Sequence, residues 1–268
     1  MIDAAQIRAT RAGDGHFSLW WLGQSGFLLQ WGDRHIVLDP YLSDSLTAKY
    51  AGTTRPHIRV APRVIDPERL DFIDIVTASH GHTDHLDPET LRPLARVNPG
   101  LALVVPEAVR ALARERSGLH DAAIVGLRDG ASVTLGEFRI TAIPSAHERL
   151  ETDMYLGYVV RFGPWTVYHS GDTVPYDGLA ELLEPFAINV AMLPINGRSP
   201  ERGVPGNLTA EEAVWLAKRA GIRTVIPCHY GMFAFNTGDP DKFARLARDA
   251  GQNTTVVCCG ERWESSRA

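Results

Sequence analysis

Ser79–His85 reads S-H-G-H-T-D-H and follows directly on the apolar run Ile73–Thr77 (IDIVT). Four of its seven side chains, His80, His82, Asp84 and His85, are of the kind that binds divalent cations. Neutral imidazoles and carboxylates are good ligands for Zn²⁺, Fe²⁺ and Mn²⁺. An HxHxDH string arises by chance in a chain of this composition with odds of roughly 1 in 1,000, which makes it a strong motif. A loop leaving the end of a strand turns alternate side chains toward one point. His80 and His82 can then share one ion while Asp84 and His85 face a second. The plain alternative is a solvated polar turn. It is disfavoured because four such groups beside a buried strand are costly to leave unpaired.

Outward from this motif, three more ligand-type residues close predicted strands: His147 ends ITAIPSAH, Asp172 ends VYHSGD and His229 ends TVIPCH. Strand ends in an α/β fold gather at one edge of a sheet, where sites usually lie. The rest of the pattern agrees with such a fold. FSLWWL, GFLLQW and HIVLD read as early antiparallel strands. Asp87 and Pro88 open a helix with Leu91, Leu94 and Ala95 on one face. Leu101–Val105 reads as a strand and 107–116 as a helix. FRITAIP, YLGYVVRF, WTVYHS, INVAML and RTVIP read as further strands. Thr209 and Glu212 make a capping box before the stripe Ala213, Leu216, Ala217 and Ala220. Asp239-Pro240 starts a last helix that buries Phe243, Leu246, Ala247 and Ala250 and ends at Gly251. TTVVCC is the expected final strand. With no linker or low-complexity segment, residues 1–268 are expected to form a single α/β domain.

Composition excludes other classes. The chain has 268 residues, 44% hydrophobic and 22% charged, too apolar for a disordered protein. With 27 Lys+Arg against 32 Asp+Glu the net charge is −5, which argues against nucleic acid as a partner. No run approaches the ~18 apolar residues of a membrane span, and the opening MIDAAQIRATRAGDGHF has no apolar core of a leader. Cys228, Cys258 and Cys259 form no CxxC, so neither a disulfide framework nor a thiolate zinc site is indicated. A cytoplasmic protein is expected. GxSxG and Walker A motifs are absent. His147-Glu148 begins like HExxH, but Glu151 stands where the second histidine belongs.

SHGHTDH, PSAH, HSGDT and the PCH of TVIPCHYGMF resemble the successive metal motifs of the metallo-β-lactamase superfamily, over nearly the whole chain. FSLWWLGQSG, LDPYLSDS, SHGHTDHLD, VYHSGDT and VIPCHYGMFAFN are most similar to its L-ascorbate-6-phosphate lactonase-like branch. The resemblance implies a four-layer αβ/βα sandwich, with two mixed β-sheets flanked by helices and the metals at one edge. It implies two divalent ions, zinc or manganese, with iron as a further option. His80, His82 and His147 would hold the first ion, and Asp84, His85 and His229 the second. Asp172 would bridge them. Two ions, two aspartates and one hydroxide leave a local charge of about +1, which favours an anionic substrate. A water shared by the ions would be acidified and attack a carbonyl or phosphoryl centre.

Around the ligands, Asp39 ends HIVLD and resembles the carboxylate that orients a ligand histidine from behind. His169 precedes the SGD turn and is a candidate catalytic group beside Asp84 and Asp172. Cys228, next to His229, should point into the core. His16, His35, His57 and His120 are expected on the surface. In the polar loop Pro194–Thr209, Asn196 and Arg198 are candidate anion contacts, and Tyr230 and Asn236 are candidates to line the pocket. The expected function is a metal-dependent hydrolase, a lactonase acting on a small anionic sugar-acid lactone. A phosphodiesterase is the alternative, and a non-catalytic metal-binding sensor a lesser one. The expected partner is a small-molecule anion, neither nucleic acid nor membrane, with homo-oligomerisation left open.

Overall fold

The computed structural model describes residues 2–10, 15–147, 150, 153–199 and 206–266. The chain divides into two units. The first takes Met1–Leu127, Gly231–Phe235 and Cys258–Ala268, and the second takes Arg128–Tyr230 and Asn236–Val257.

In the first unit β1 (Ser18–Gly23), β2 (Gly26–Trp31) and β3 (Arg34–Leu38) form an antiparallel meander. The sheet then continues in parallel through β4 (Ile75–Thr77), β5 (Ala102–Pro106) and β6 (Ile124–Leu127). Its helices are α1 (Ala4–Ala9), α2 (Ser45–Lys49), α3 (Pro88–Val97) and α4 (Arg110–Ser117). β4 is buried throughout, as parallel strands covered on both faces are. α3 starts where expected: the Asp87 side chain accepts from the Glu89 N–H and the Thr90 hydroxyl. Its Leu91 and Leu94 join Val76, Leu103, Val105 and Ile124 in the core of this unit.

The second unit is built on β7 (Ser132–Leu135), β8 (Phe138–Pro144), β9 (Leu156–Phe162) and β10 (Trp165–His169), all antiparallel. β11 (Val190–Pro194), β12 (Thr224–Cys228) and β13 (Asn253–Thr254) extend it in parallel. Its helices are α5 (Leu179–Leu183), α6 (Ala210–Arg219) and α7 (Pro240–Asp249). α6 carries the full capping box. The Glu212 N–H donates to the Thr209 hydroxyl, and the Thr209 N–H donates to the Glu212 carboxylate. β14 (Arg262–Glu264) returns to the first unit and pairs antiparallel with β1. Among the described residues each sheet is thus seven-stranded and mixed, with three antiparallel joints followed by three parallel ones. No helix among the described residues is long and apolar enough to cross a membrane.

Several expectations shift. The run IDIVT supplies only three strand residues; just before them Asp74 is tied to His35 both by its side chain, which accepts from the His35 N–H, and by its own N–H, which donates to the His35 carbonyl. The helix expected over 107–116 opens as a 3₁₀ turn, Glu107–Val109, and becomes α-helical at Arg110. TTVVCC is not one strand. β13 ends at Thr254, and the chain passes from the second unit to the first between Val257 and Cys258. There the Gly260 N–H donates to the Trp21 carbonyl and a turn closes through Glu261. In α7, Phe243 and Ala247 are buried, but Ala250 is the exposed C-cap. His35 is buried rather than on the surface, with its ring 4.7 Å from Phe72 in an edge contact. Glu148 and Glu151 lie outside the described residues, as does 200–205 of the polar loop.

The second sheet has one position where even a methyl group does not fit. A Cβ on Gly157 would lie 2.9 Å from Tyr168 Cε2 and 3.0 Å from the carbonyl oxygens of His169 and Ser170. Backbone atoms of a paired strand cannot yield, so Gly157→Ala is expected to cost about 1–3 kcal/mol. A urea midpoint equal to that of the unaltered chain would contradict this close approach.

Candidate metal centre

In the first unit β3 and β4 run parallel with Leu38 opposite Thr77, so both strands end at the same edge. Asp39 leaves β3 with φ 43°, a left-handed value that costs a non-glycine residue energy and persists only where its surroundings hold it. Its carboxylate is fully buried. Oδ1 accepts from the Ser79 N–H at 3.0 Å and faces the Thr77 hydroxyl at 3.4 Å. Oδ2 accepts from the Ser79 hydroxyl and, at 2.6 Å, from His85 Nδ1.

An ionised carboxylate can only accept, so His85 carries its proton on Nδ1 and presents the lone pair of Nε2. The Ser79 hydroxyl donates to Asp39 and so accepts from His80 Nδ1, 3.0 Å away, leaving His80 in the same tautomer. This is how a metal-ligating imidazole is normally held. The His80 ring centroid lies 4.6 Å from that of His82 and 4.1 Å from that of His85. Asp84 Oδ2 is 3.7 Å from His85 Nε2 and accepts from the Gln24 carboxamide at 2.9 Å. The loop keeps its shape because Leu86 N–H donates to the His82 carbonyl and Arg116 donates to the carbonyls of Gly81 and Leu86.

In the second unit β8, β10 and β12 end at one edge, because β8 and β10 both run antiparallel to β9 and β12 follows in parallel. His147, Asp172 and His229 follow these three strands. His229 immediately follows β12 with φ 63°, which turns it out of the sheet. His147 Nδ1 is 3.0 Å from the Gly206 carbonyl, an obligate acceptor, so this ring too presents Nε2. Asp172 Oδ2 lies 3.4 Å from His229 Nε2 and 3.7 Å from His147 Nε2. These separations are longer than the ~2.7–3.2 Å of a good hydrogen bond. They match two ligand atoms on one ion: atoms ~2.0–2.1 Å from a tetrahedral metal are about 3.4 Å apart. His80, His85, His147, Asp172 and His229 are all buried. Each unit therefore carries imidazole and carboxylate donors of the kind that bind a divalent cation, buried at His147, Asp172 and His229 in the second unit and half-buried at His82 and Asp84 in the first.

The neighbouring candidates have other partners. His169 is buried, and its Nδ1 accepts from the Gly171 N–H at 3.3 Å, which places its proton on Nε2. Asn196 donates to Asn236 at 2.9 Å and accepts from Asn207 at 3.0 Å, a chain of three side-chain amides. Arg198 makes a two-pronged pair with Glu212 at 2.6 and 2.7 Å, so its cation serves the start of α6. That pairing raises the Arg198 pKa and holds the Glu212 carboxyl below its ordinary value. The Tyr230 hydroxyl donates to the Val257 carbonyl from a buried ring, and Cys228 is buried as expected.

Three residues near the ligands were not singled out from the chain. Ser79 opens the quoted motif but is of no ligand type. Gln24 lies 60 positions from Asp84 in a turn between two strands. His57 is half-buried, stacked on Tyr50 at 4.3 Å. Burial lowers its pKa below that of an ordinary imidazole, while the Asp84 charge pulls it up.

The profile of the β-lactamase superfamily domain matches residues 34–230. A UPF0173 metal-dependent hydrolase from Saccharolobus solfataricus is 26% identical over 245 residues, covering 90% of this chain and 96% of that protein. Two solved structures share the fold. Igni18, a metallo hydrolase from Ignicoccus hospitalis, superposes with a TM-score of 0.70 at 22% identity, covering 94% of this chain and all of that one. The isothiocyanate hydrolase from Delia radicum gut bacteria superposes with a TM-score of 0.74 at 19% identity, covering 92% and 98%.

The Asp39 carboxylate accepts from His85 Nδ1 directly and stands behind His80 through the Ser79 hydroxyl. Asp39→Asn keeps its shape but removes the charge, and is expected to weaken metal binding about 10–100-fold. Competition against a chromophoric chelator measures this, and an unchanged dissociation constant would contradict the orienting role.

Proposed function

The chain belongs to the metallo-β-lactamase superfamily, and from that premise we propose that it is a metal-dependent hydrolase with a two-ion centre. By the motif resemblance, His80, His82 and His147 would hold one ion, Asp84, His85 and His229 the other, and Asp172 would be shared. The observation that carries this reading is the position of Asp172 Oδ2, 3.7 Å from His147 Nε2 and 3.4 Å from His229 Nε2. By the motif resemblance these two imidazoles would serve different ions, so one carboxylate oxygen facing both suits a shared ligand.

When bound, two divalent ions would supply water acidified toward neutrality and would polarise the bond to be cleaved. The residues of the chain arrange that chemistry. Asp39 and Ser79 hold His80 and His85 in the tautomer that exposes Nε2, and the Gly206 carbonyl does the same for His147. His169, whose Nδ1 accepts from the Gly171 N–H, is the candidate proton donor of this reading. Two cations against two ligand carboxylates leave the centre positive, which favours an anionic substrate. The substrate class we infer is a small anionic lactone, supported by the motif similarity of the chain to the lactonase-like branch. Arg198 is not part of this reading, because Glu212 engages both its prongs.

Elemental analysis of the purified chain is expected to give two equivalents of zinc, manganese or iron. Chelation should abolish turnover, and zinc or manganese should restore it. A panel of lactones, phosphodiesters and isothiocyanates separates the chemistries. Lactone opening alone supports the reading, whereas phosphodiester cleavage without lactone opening rejects it. Asp172→Ala should lower kcat by more than the ~10–100-fold that follows loss of an outer partner, with the circular dichroism spectrum preserved. An unchanged kcat would contradict the shared carboxylate.

A further inference from the structure

The turn between β1 and β2 is built at some cost. Gln24 sits at its tip with φ 51°, in the left-handed region that disfavours any residue with a side chain. Gly23 precedes it with φ 95°, and Gly26 follows. A Cβ on Gly23 would lie 2.4 Å from Met232 Cε and 3.0 Å from Cys259 Sγ, and one on Gly26 would lie 3.3 Å from the Asp39 carbonyl. The turn is therefore pressed onto the end of β3. Trp21 Nε1–H donates to the Gln24 carbonyl at 3.1 Å and locks the tip. A glycine at position 24 would relieve the backbone, yet the chain places a glutamine there and buries it almost completely, at 2% exposure. Strain of this kind persists where the surroundings enforce it, and it collects at functional sites.

The side chain of Gln24 reaches Asp84, 60 positions along the chain. Its carboxamide nitrogen donates to Asp84 Oδ2 at 2.9 Å. We propose that Gln24 is the positioning residue of the ion subset built on Asp84 and His85. Its fixed amide holds the Asp84 carboxylate in one rotamer, with Oδ2 at 3.7 Å from His85 Nε2. A neutral donor suits this task. Lysine or arginine would also fix the carboxylate, but would neutralise the charge that the cation needs, whereas an amide orients it and leaves the charge in place. The rigid tip lowers the entropy lost when Asp84 closes on the ion. The inference rests on the two-ion reading above.

The experiment measures the dissociation constant of each zinc ion by chelator competition, for the full chain and for Gln24→Gly. Glycine suits the left-handed backbone, so the melting temperature of the metal-free protein is expected to hold or rise. One of the two dissociation constants should rise about 10–100-fold, while the other stays put. Gln24→Asn also tolerates the left-handed conformation but is one methylene too short, and it should show the same selective loss. In an Asp84→Ala background, Gln24→Gly should add nothing. Unchanged constants, equal loss at both ions, or the same loss without Asp84 would overturn the positioning role alone. An unaltered chain that binds fewer than two ions would overturn the two-ion reading and the role of Gln24 with it.

Discussion

The buried Asp39 carboxylate is the constraint on which the first unit's donor loop depends. It has no exposure to water, so every lone pair must find a donor within the protein. The donors it finds are the Ser79 amide and hydroxyl and His85 Nδ1. Through them it decides which nitrogen of His85, and through Ser79 which nitrogen of His80, faces outward. Its own left-handed φ is the local cost of pointing the carboxylate under the loop rather than along the strand.

Asp39 follows the strand at which the first sheet changes from antiparallel to parallel pairing, β3. Asp172 lies just beyond the corresponding strand of the second sheet, β10. The two carboxylates differ in use. Asp39 is surrounded by hydrogen-bond donors and works from behind, whereas Asp172 faces the Nε2 atoms of two imidazoles at ligand-to-ligand separations.

Much of this was readable in the chain because it is local. The capping box Thr209–Glu212, the Asp87 N-cap and the glycine after α6 involve residues within one turn of each other, and all three occur. The strand run FRITAIP matches β8 residue for residue. The run TTVVCC misled for a reason that is not local. Its β-branched residues lie where the chain leaves one unit for the other, and of the run only Thr254 has a strand partner. His35 misled likewise. Polar in type, it is buried because β3 is an inner strand and Phe72 covers its ring. Arg198 looked available to an anion, but a carboxylate 14 positions away on α6 holds both its prongs.

The amino-acid sequence by itself determined the donor chemistry: which imidazoles and carboxylates the protein has, and that each follows a strand. Alternation and capping act over a few residues, so composition and spacing suffice to place them. The tertiary structure alone decided what those donors do. The tautomer of His85 depends on a carboxylate 46 positions away, and the rotamer of Asp84 on an amide 60 positions away. Such contacts are set by strand order and by the register that puts Leu38 beside Thr77. Hydrogen-bond direction is a property of the pair, and no single segment carries it.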